Sequence, residues 1–163
     1  MRSAGMLACL ATIVLAGCAT PALRVISVGT YSGEFVPVPK LADGGVRTRY
    51  GFIDRPRFEG DTTHVFATIG THFGALFVFD GPQERQKVWY RVVWRYSPDK
   101  TGEYRAFYAQ DQVTNVGREN TSGIHFNEAS QVVEGTFILE IWQQSQKVFR
   151  QEFEIAAAKV ASN

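Results

Sequence analysis

Alternation of hydrophobic and polar positions is the main pattern along this chain, and it is clearest near the carboxyl terminus. Apolar residues of one parity there are Phe137, Leu139 and Ile141 and, after the polar stretch Gln143–Gln146, Phe149, Phe153 and Ile155. Side chains of a strand point to opposite faces with period two, so the segment Gly135–Ile155 predicts a β-hairpin with one apolar face. Because such a hairpin is marginal alone in water, a second sheet must cover it.

Other segments carry the same period and are separated by glycine- and proline-rich stretches. They are Arg24–Tyr31, Val46–Phe52, His64–Ile69, Phe73–Asp80, Val88–Tyr96 and Glu103–Gln110. We expect the second of these to end at Arg55-Pro56, and the polar segment Gln112–Gly123 to be a loop. About seven to nine short strands predict a sandwich of two antiparallel sheets, with a small barrel as the alternative.

The amino terminus has the pattern of a bacterial secretion signal. Arg2 precedes the apolar run Met6–Ala16, which is shorter than the roughly 20 residues that a membrane-spanning helix needs. The following Leu15-Ala16-Gly17-Cys18 resembles a lipobox, which implies that the signal is cut before Cys18 and that this cysteine is lipidated. The alternatives are an ordinary signal peptide and a buried apolar segment that happens to contain cysteine. By resemblance to lipoprotein sorting, Ala19 favours the outer membrane, with the domain facing the periplasm.

These signals divide the chain into four segments. We expect a helical signal peptide over 1–17, a lipidated tether over 18–23, the sandwich over 24–155 and a frayed tail over 156–163. Cys9 lies in the discarded signal and Cys18 carries lipid, so the mature chain has no cysteine pair for a disulfide. Packing alone must therefore stabilise the domain.

The composition and charge of the chain argue against nucleic acid as a partner. The chain of 163 residues is 45% hydrophobic and 20% charged, which is typical of a globular domain. Its formal net charge is only +1, so it lacks the basic surface that nucleic-acid binding requires. The membrane, through lipid at Cys18, and an envelope protein or cell-wall glycan remain as partners.

Two tryptophans break the apolar alternation, because they lie on the parity opposite the main hydrophobic row. Trp89 shares its parity with Arg91, Val93 and Arg95, and Trp142 follows Ile141. If this face is open, Trp89, Arg91 and Arg95 form a surface that could stack on a sugar or grip a carboxylate. The simpler interpretation is that both tryptophans are covered by loops or by a second layer, because large aromatic side chains are usually largely buried.

Catalytic signatures are absent from the sequence. Asp61, His64 and His72 could meet in a metal site or a hydrolytic site only through a folded loop, and there is no HExxH motif or pair of CxxC motifs. There is no Gly-x-Ser-x-Gly elbow either, and the carboxylates are scattered. We therefore expect no metal, no cofactor and no enzymatic activity.

Three segments that together frame most of the mature chain carry a family resemblance. They are Gly29-Thr30-Tyr31, Thr63–Pro82 with its Phe73-Gly74 and Gly81-Pro82, and Gly135–Phe153 with its Ile141-Trp142. These resemble a bacterial family of secreted or lipid-anchored proteins, the domain of unknown function 3859. The family tends to have Ile-Pro where Val65-Phe66 stands and Trp where Phe137 stands. The resemblance implies an immunoglobulin-like sandwich without known catalytic residues, and it makes a structural role for Trp142 as plausible as a functional one.

The sequence therefore predicts an all-β, immunoglobulin-like sandwich that is lipid-anchored in the envelope. We expect it to act as a non-catalytic binding or scaffolding module. The alternatives are a carbohydrate- or peptidoglycan-binding module that uses exposed aromatic residues and, as a weaker one, a small envelope hydrolase.

Overall fold

The computed structural model describes residues 20–37, 51–98 and 103–157, which form nine strands and one short 3-10 turn, Ala129–Gln131. The strands are β1 (Ala22–Pro37), β2 (Gly51–Gly60), β3 (His64–Ala67), β4 (His72–Asp80), β5 (Lys87–Ser97), β6 (Arg105–Asn115), β7 (Glu119–His125), β8 (Gly135–Gln143) and β9 (Gln146–Ala157). No helix in these three ranges is long and apolar enough to cross a membrane. The predicted signal helix and Cys18 lie outside the described residues.

The strands form two sheets, and the predicted sandwich is confirmed. A four-stranded sheet has the order β2-β1-β4-β7, and a five-stranded sheet has the order β3-β9-β8-β5-β6. Neighbouring strands are antiparallel except for β3 and β9, which run parallel, with His64 opposite Glu154 and Ala67 opposite Ala157. The expectation of purely antiparallel sheets is therefore wrong at this one edge.

The core lies between the two sheets and follows the predicted alternation. Phe73, Ala75, Phe77 and Phe79 of β4 have no solvent exposure. They pack against the inward residues of the other sheet: Val88, Tyr90, Val92 and Trp94 of β5, Phe137, Leu139 and Ile141 of β8, and Phe153 and Ile155 of β9. The Trp94 Nε1–H donates a hydrogen bond across the core to Ser122 Oγ of β7 at 3.1 Å.

The predicted carboxyl-terminal hairpin is confirmed as β8 and β9. Gln144 and Ser145 form its two-residue turn with φ values of 48° and 64°, the left-handed region that matches the twist of a hairpin. A register shift between Ile141 and Trp142 lets Phe149 pair with Ile141 on the inner face. Phe149 is half-buried against the core, and the other predicted inward residues of the hairpin are fully buried.

Two expectations about polar or proline-containing segments are wrong. Strand β2 continues through Arg55-Pro56 to Gly60. It tolerates the proline because it is an edge strand, where one row of backbone groups needs no partner. The segment expected to loop over 112–123 instead contains the end of β6, a turn at 116–118 and most of β7. Its polar residues suit edge strands, which face solvent on one side.

The ends of the domain also differ slightly from expectation. Strand β1 begins at Ala22, two positions before the predicted start of the sandwich, and Pro21 is already buried. Strand β9 continues through Ala157, two positions into the expected tail, because Ala156 and Ala157 pair with Phe66 and Ala67 of β3.

A row of three glycines crosses the outer face of the four-stranded sheet. Gly29 lies opposite Gly74, and Gly74 lies opposite Gly123. Because glycine has no side chain, the backbones of neighbouring strands approach closely here. A Cβ on Gly29 would overlap the carbonyl oxygen of Gly60, and a Cβ on Gly74 would overlap the carbonyl oxygen of Ser122. The Tyr31 side chain lies over Gly123 and is buried there. Two of the family-like motifs, Gly29-Thr30-Tyr31 and Phe73-Gly74, therefore meet at this row.

Candidate binding surface

The outer face of the five-stranded sheet carries the tryptophan singled out from the sequence. Along β5, Val88, Tyr90 and Val92 are buried, whereas Lys87, Trp89 and Arg91 point to solvent. The side chain of Trp89 is 67% exposed, so the interpretation that it lies under a loop is wrong. Its cross-strand neighbour Val113 is 48% exposed. Together they form an exposed apolar patch on this face.

Trp89 lies on the rim of an open cleft of about 490 Å³. The cleft, called the Trp89 cleft below, is lined by Trp89, Tyr90, Arg91, Val93, Arg95, Asp111, Trp142, Gln144 and Ser145. All three residues of the predicted surface, Trp89, Arg91 and Arg95, therefore line one cleft. Three strands and the β8–β9 turn supply it, because Arg91 pairs with Asp111 of β6 on one side and with Trp142 of β8 on the other.

The two arginines of this surface already hold carboxylates of the protein. Arg91 Nε lies 3.0 Å from Asp111 Oδ1 in an exposed ion pair. Arg95 Nε lies 3.2 Å from Glu140 Oε2, and the Glu140 side chain is only 6% exposed. The predicted grip on a ligand carboxylate would therefore have to compete with these pairs. The Arg91–Asp111 pair can instead offer donors and acceptors to the hydroxyl groups of a ligand.

Glu140 is the centre of a hydrogen-bonded network beneath the cleft. Besides Arg95, the Lys147 Nζ donates to its Oε1 at 2.8 Å and the Trp142 Nε1–H donates to its Oε2 at 3.1 Å. Burial acts to raise the pKa of Glu140, but the hydrogen bonds from Lys147, Arg95 and Trp142 outweigh it and hold this pKa below its usual range. Glu140 is therefore a structural anion at neutral pH.

Trp142 is held in place by the same network. Its indole N–H is bonded to Glu140, and Lys147 Nζ lies 5.2 Å from its ring centroid, within cation–π range. The ring is half-buried and forms a wall of the Trp89 cleft. These contacts fix the position of Trp142, and its ring also lines the cleft, whereas the ring of Trp89 is exposed to solvent.

The histidines expected to meet do not form a common site. His64 on β3 pairs with Glu154 at 3.2 Å and is exposed, whereas His72 on β4 belongs to the other sheet. Asp61 accepts a hydrogen bond from Ser27 at 3.1 Å. Within residues 20–37, 51–98 and 103–157, no three His, Cys, Asp or Glu side chains could together hold a metal ion.

His72 belongs instead to an aromatic cluster beside the glycine row. Its ring stacks on that of His125 with centroids 3.8 Å apart, and the Tyr31 ring lies 5.5 Å away on the same outer face. Burial, with a smaller effect from His125, lowers the pKa of His72 to about 4. Burial also lowers the pKa of His125 and raises that of Tyr31.

This cluster predicts that the domain loses stability in mild acid. The unfolded chain binds a proton at position 72 near the ordinary pKa of 6.5, whereas the folded chain does so only near pH 4. The contribution of His72 to the free energy of unfolding is therefore complete above about pH 6.5. It is lost as the pH drops from there to about 4. Denaturant titrations at several pH values would measure it. His72→Phe should flatten the curve between pH 6.5 and 4.5, and His64→Gln, which changes an exposed histidine, should leave it steep. An equally steep curve for His72→Phe would contradict this role.

The comparisons with known proteins agree with the architecture. No curated protein matches the chain significantly. Among solved structures, an immunoglobulin-like protein from Pseudomonas aeruginosa is similar, with 17% sequence identity and a TM-score of 0.53 over 85% of this chain and 99% of that one. At this identity the likeness shows the fold alone.

The expected family is confirmed over nearly the whole sandwich. The family described as Domain of unknown function (DUF3859) matches residues 25–155, a range that begins within β1 and ends within β9. The glycine row and the β8–β9 hairpin, which carry the resembling motifs, both lie inside this range. The chain is an immunoglobulin-like β-sandwich that belongs to the DUF3859 family.

Proposed function

We propose that the chain is a lipid-anchored envelope protein whose sandwich is a non-catalytic binding or scaffolding module, and that the Trp89 cleft is its binding surface. The observation that supports this most directly is the 67% exposure of Trp89 on the rim of a cleft. A large aromatic ring in water loses unfavourable hydration when a partner covers it, and such rings often dominate the free energy of an interface.

The chemistry of the cleft favours binding over catalysis. Asp111 is paired with Arg91, and Glu140 is buried, ionised and surrounded by three donors. A general acid needs a pKa raised towards neutrality, and the lowered pKa of Glu140 is the opposite. The hydrolase alternative depended on His64 and His72 meeting an aspartate, and these two histidines belong to different sheets.

Anchoring at Cys18, in the outer membrane and facing the periplasm, rests on the lipobox sequence and on Ala19. Several acyl chains attach a protein stably because each buried CH₂ contributes about 0.8 kcal/mol. Cys18→Ser should therefore move the protein from the membrane fraction to the soluble fraction of the envelope. The matched change Cys9→Ser, within the apolar run, should leave it in the membrane fraction. Unchanged fractionation of Cys18→Ser would refute the anchor.

The partner that we propose is a component of the envelope, either another protein or a cell-wall glycan. A glycan is favoured by the position of Trp89 beside the Arg91–Asp111 pair, since a sugar ring can stack on the indole while its hydroxyls bond to both charged groups.

In-cell crosslinking and pull-down of the lipidated chain tests the cleft. Trp89→Ala should abolish most of the recovered partner, because it removes the main apolar contact. Phe66→Ala, which changes an exposed aromatic residue on β3 outside the cleft, should recover the partner as the wild type does. Equal recovery with Trp89→Ala would exclude this cleft as the binding surface.

A further inference from the structure

We propose that the exposed apolar patch of Trp89 and Val113 docks onto the phospholipid surface that holds the anchor, so that the membrane takes the place of the protein or glycan named above as the partner of the Trp89 cleft. This inference rests on the proposed anchoring at Cys18. It follows from where the chain enters the sandwich, from the length of the segment between Cys18 and β1, and from the side chains that lie at that end.

The chain enters the sandwich at the end that carries Trp89. Ala22 begins β1 opposite Asp80 at the end of β4, and a Cβ on Gly81 would lie 3.4 Å from the Pro21 side chain. The short connection after Asp80 leads directly to Lys87, the first residue of β5. Trp89 is two positions further on. The β8–β9 turn at Gln144–Ser145 lies at the same end, because Trp142 pairs with Arg91. We call this the Ala22 end.

The segment between Cys18 and Ala22 limits how far this end can be from the lipid. Four residues of fully extended chain span at most about 14 Å. Trp89 lies two residues, or about 7 Å, from the start of its strand. The Ala22 end is therefore held within reach of the headgroup layer whenever Cys18 is lipidated. Tethering makes docking intramolecular, so even weak contacts form at high effective concentration.

The side chains at this end suit a membrane interface. Trp89 and Val113 form the exposed apolar patch, and Lys87 lies beside them on the same face of β5. Tryptophan is enriched at membrane–water interfaces, where its ring enters the headgroup region, and a neighbouring lysine can extend its ammonium group to phosphate.

The charges at the Ala22 end nearly balance, which decides what drives the contact. Arg85, Lys87 and Arg118 are exposed there, and so are Glu84 and Glu119. Arg24 is paired with Asp80. Lys147 of the β8–β9 hairpin shares the Glu140 carboxylate with Arg95 and adds one more, so the excess is about two positive charges, which gives only a weak attraction to anionic lipid. Docking should therefore depend mainly on Trp89 and change little with salt concentration. A glycan could also stack on Trp89, but the short tether favours the lipid surface that is always within reach.

Fluorescence quenching of Trp89 by brominated lipid tests the proposal. The lipidated chain is reconstituted into phosphatidylcholine–phosphatidylglycerol vesicles with or without bromine on the acyl chains. Wild-type emission should fall with the brominated lipid, and Trp89→Phe should remove most of this fall, since Trp94 is buried in the core and Trp142 is half-buried with its indole N–H bonded to Glu140. As a matched reporter, Phe66→Trp in the Trp89→Phe background should not be quenched. Phe66 is exposed on β3, and it pairs with Ala156 at the end of β9 remote from the β8–β9 turn.

The outcomes separate this inference from the proposed function. Wild-type emission that is not quenched, on protein that sediments with the vesicles, would overturn docking while leaving the anchor intact. Lipidated protein that fails to sediment with vesicles would refute the anchoring itself. Soluble cell-wall saccharides that bind the cleft and change Trp89 emission without vesicles, combined with no quenching by brominated lipid, would assign the cleft to a glycan.

Discussion

Phe73→Ala should lower the free energy of unfolding by about 3–5 kcal/mol, the largest effect that we expect from a single core substitution. Phe73 has no solvent exposure, and its ring centroid lies 5.2–5.9 Å from those of Trp94, Phe126, Phe137 and Phe153. Truncation leaves a cavity among four rings, three of them on the five-stranded sheet and Phe126 directly after β7, so the site cannot collapse readily. Equilibrium denaturation in urea would measure the change.

The control for this prediction is the same substitution at an exposed phenylalanine. Phe66 is 75% exposed on β3, so Phe66→Ala should change the free energy of unfolding by less than about 0.5 kcal/mol. Similar losses in the two variants would mean that the core is not organised around Phe73. A large loss for Phe66→Ala alone would indicate that β3 is covered by a partner or by another part of the chain.

Gly74→Ala should lower the free energy of unfolding by about 3 kcal/mol and the melting temperature by roughly 10 °C, although it adds a single methyl group. The new Cβ would overlap the Ser122 carbonyl oxygen and approach Gly123 Cα to 2.6 Å. Both obstacles are backbone atoms of β7, so β4 and β7 would have to separate. Calorimetry of the variant would test this.

Gly60→Ala is the matched control, because a Cβ on Gly60 meets nothing within 4 Å. It should be neutral or slightly stabilising, since alanine loses less backbone entropy than glycine on folding. A second comparison, Gly123→Ala, should displace Tyr31 and with it the stack on His72. If Gly74→Ala were as stable as Gly60→Ala, the close approach of the three strands would not be needed for the fold.

The sequence predicts this fold well wherever one strand face is buried and the other is not. The alternation over Phe73–Phe79 and Val88–Trp94 identifies the core correctly because residues of that parity lie between the two sheets, although Val78 and Val93 on the opposite faces are also buried. The prediction is wrong where edge strands carry polar residues or proline, as in β2 and β7. Edge positions relax the requirement for apolar side chains and for backbone donors, and a single sequence does not reveal which strands are edges.

The candidate surface could be predicted only in part. The parity of Trp89, Arg91 and Arg95 is a local property, so the sequence places them on one face. Asp111 and Glu140 form ion pairs with the two arginines. They lie on β6 and β8, and the register of the five-stranded sheet places them beside β5. Register depends on turns and bulges, such as the shift between Trp94 and Arg95, that alternation does not encode. A charged residue at position 140 within an apolar strand was the available signal.

The parallel pairing of β3 with β9 has a consequence for the order of folding. The four residues of β3 bond to one neighbour in the described structure, and that neighbour is the last strand. Bringing segments so distant in sequence together costs loop-closure entropy, and only the short ladder of hydrogen bonds between β3 and β9 offsets that cost. This edge should therefore close last and open first. Among the strands of the five-stranded sheet, the backbone amides of β3 should exchange with deuterium fastest, and a chain still emerging during synthesis cannot complete the sheet until β9 has left the ribosome.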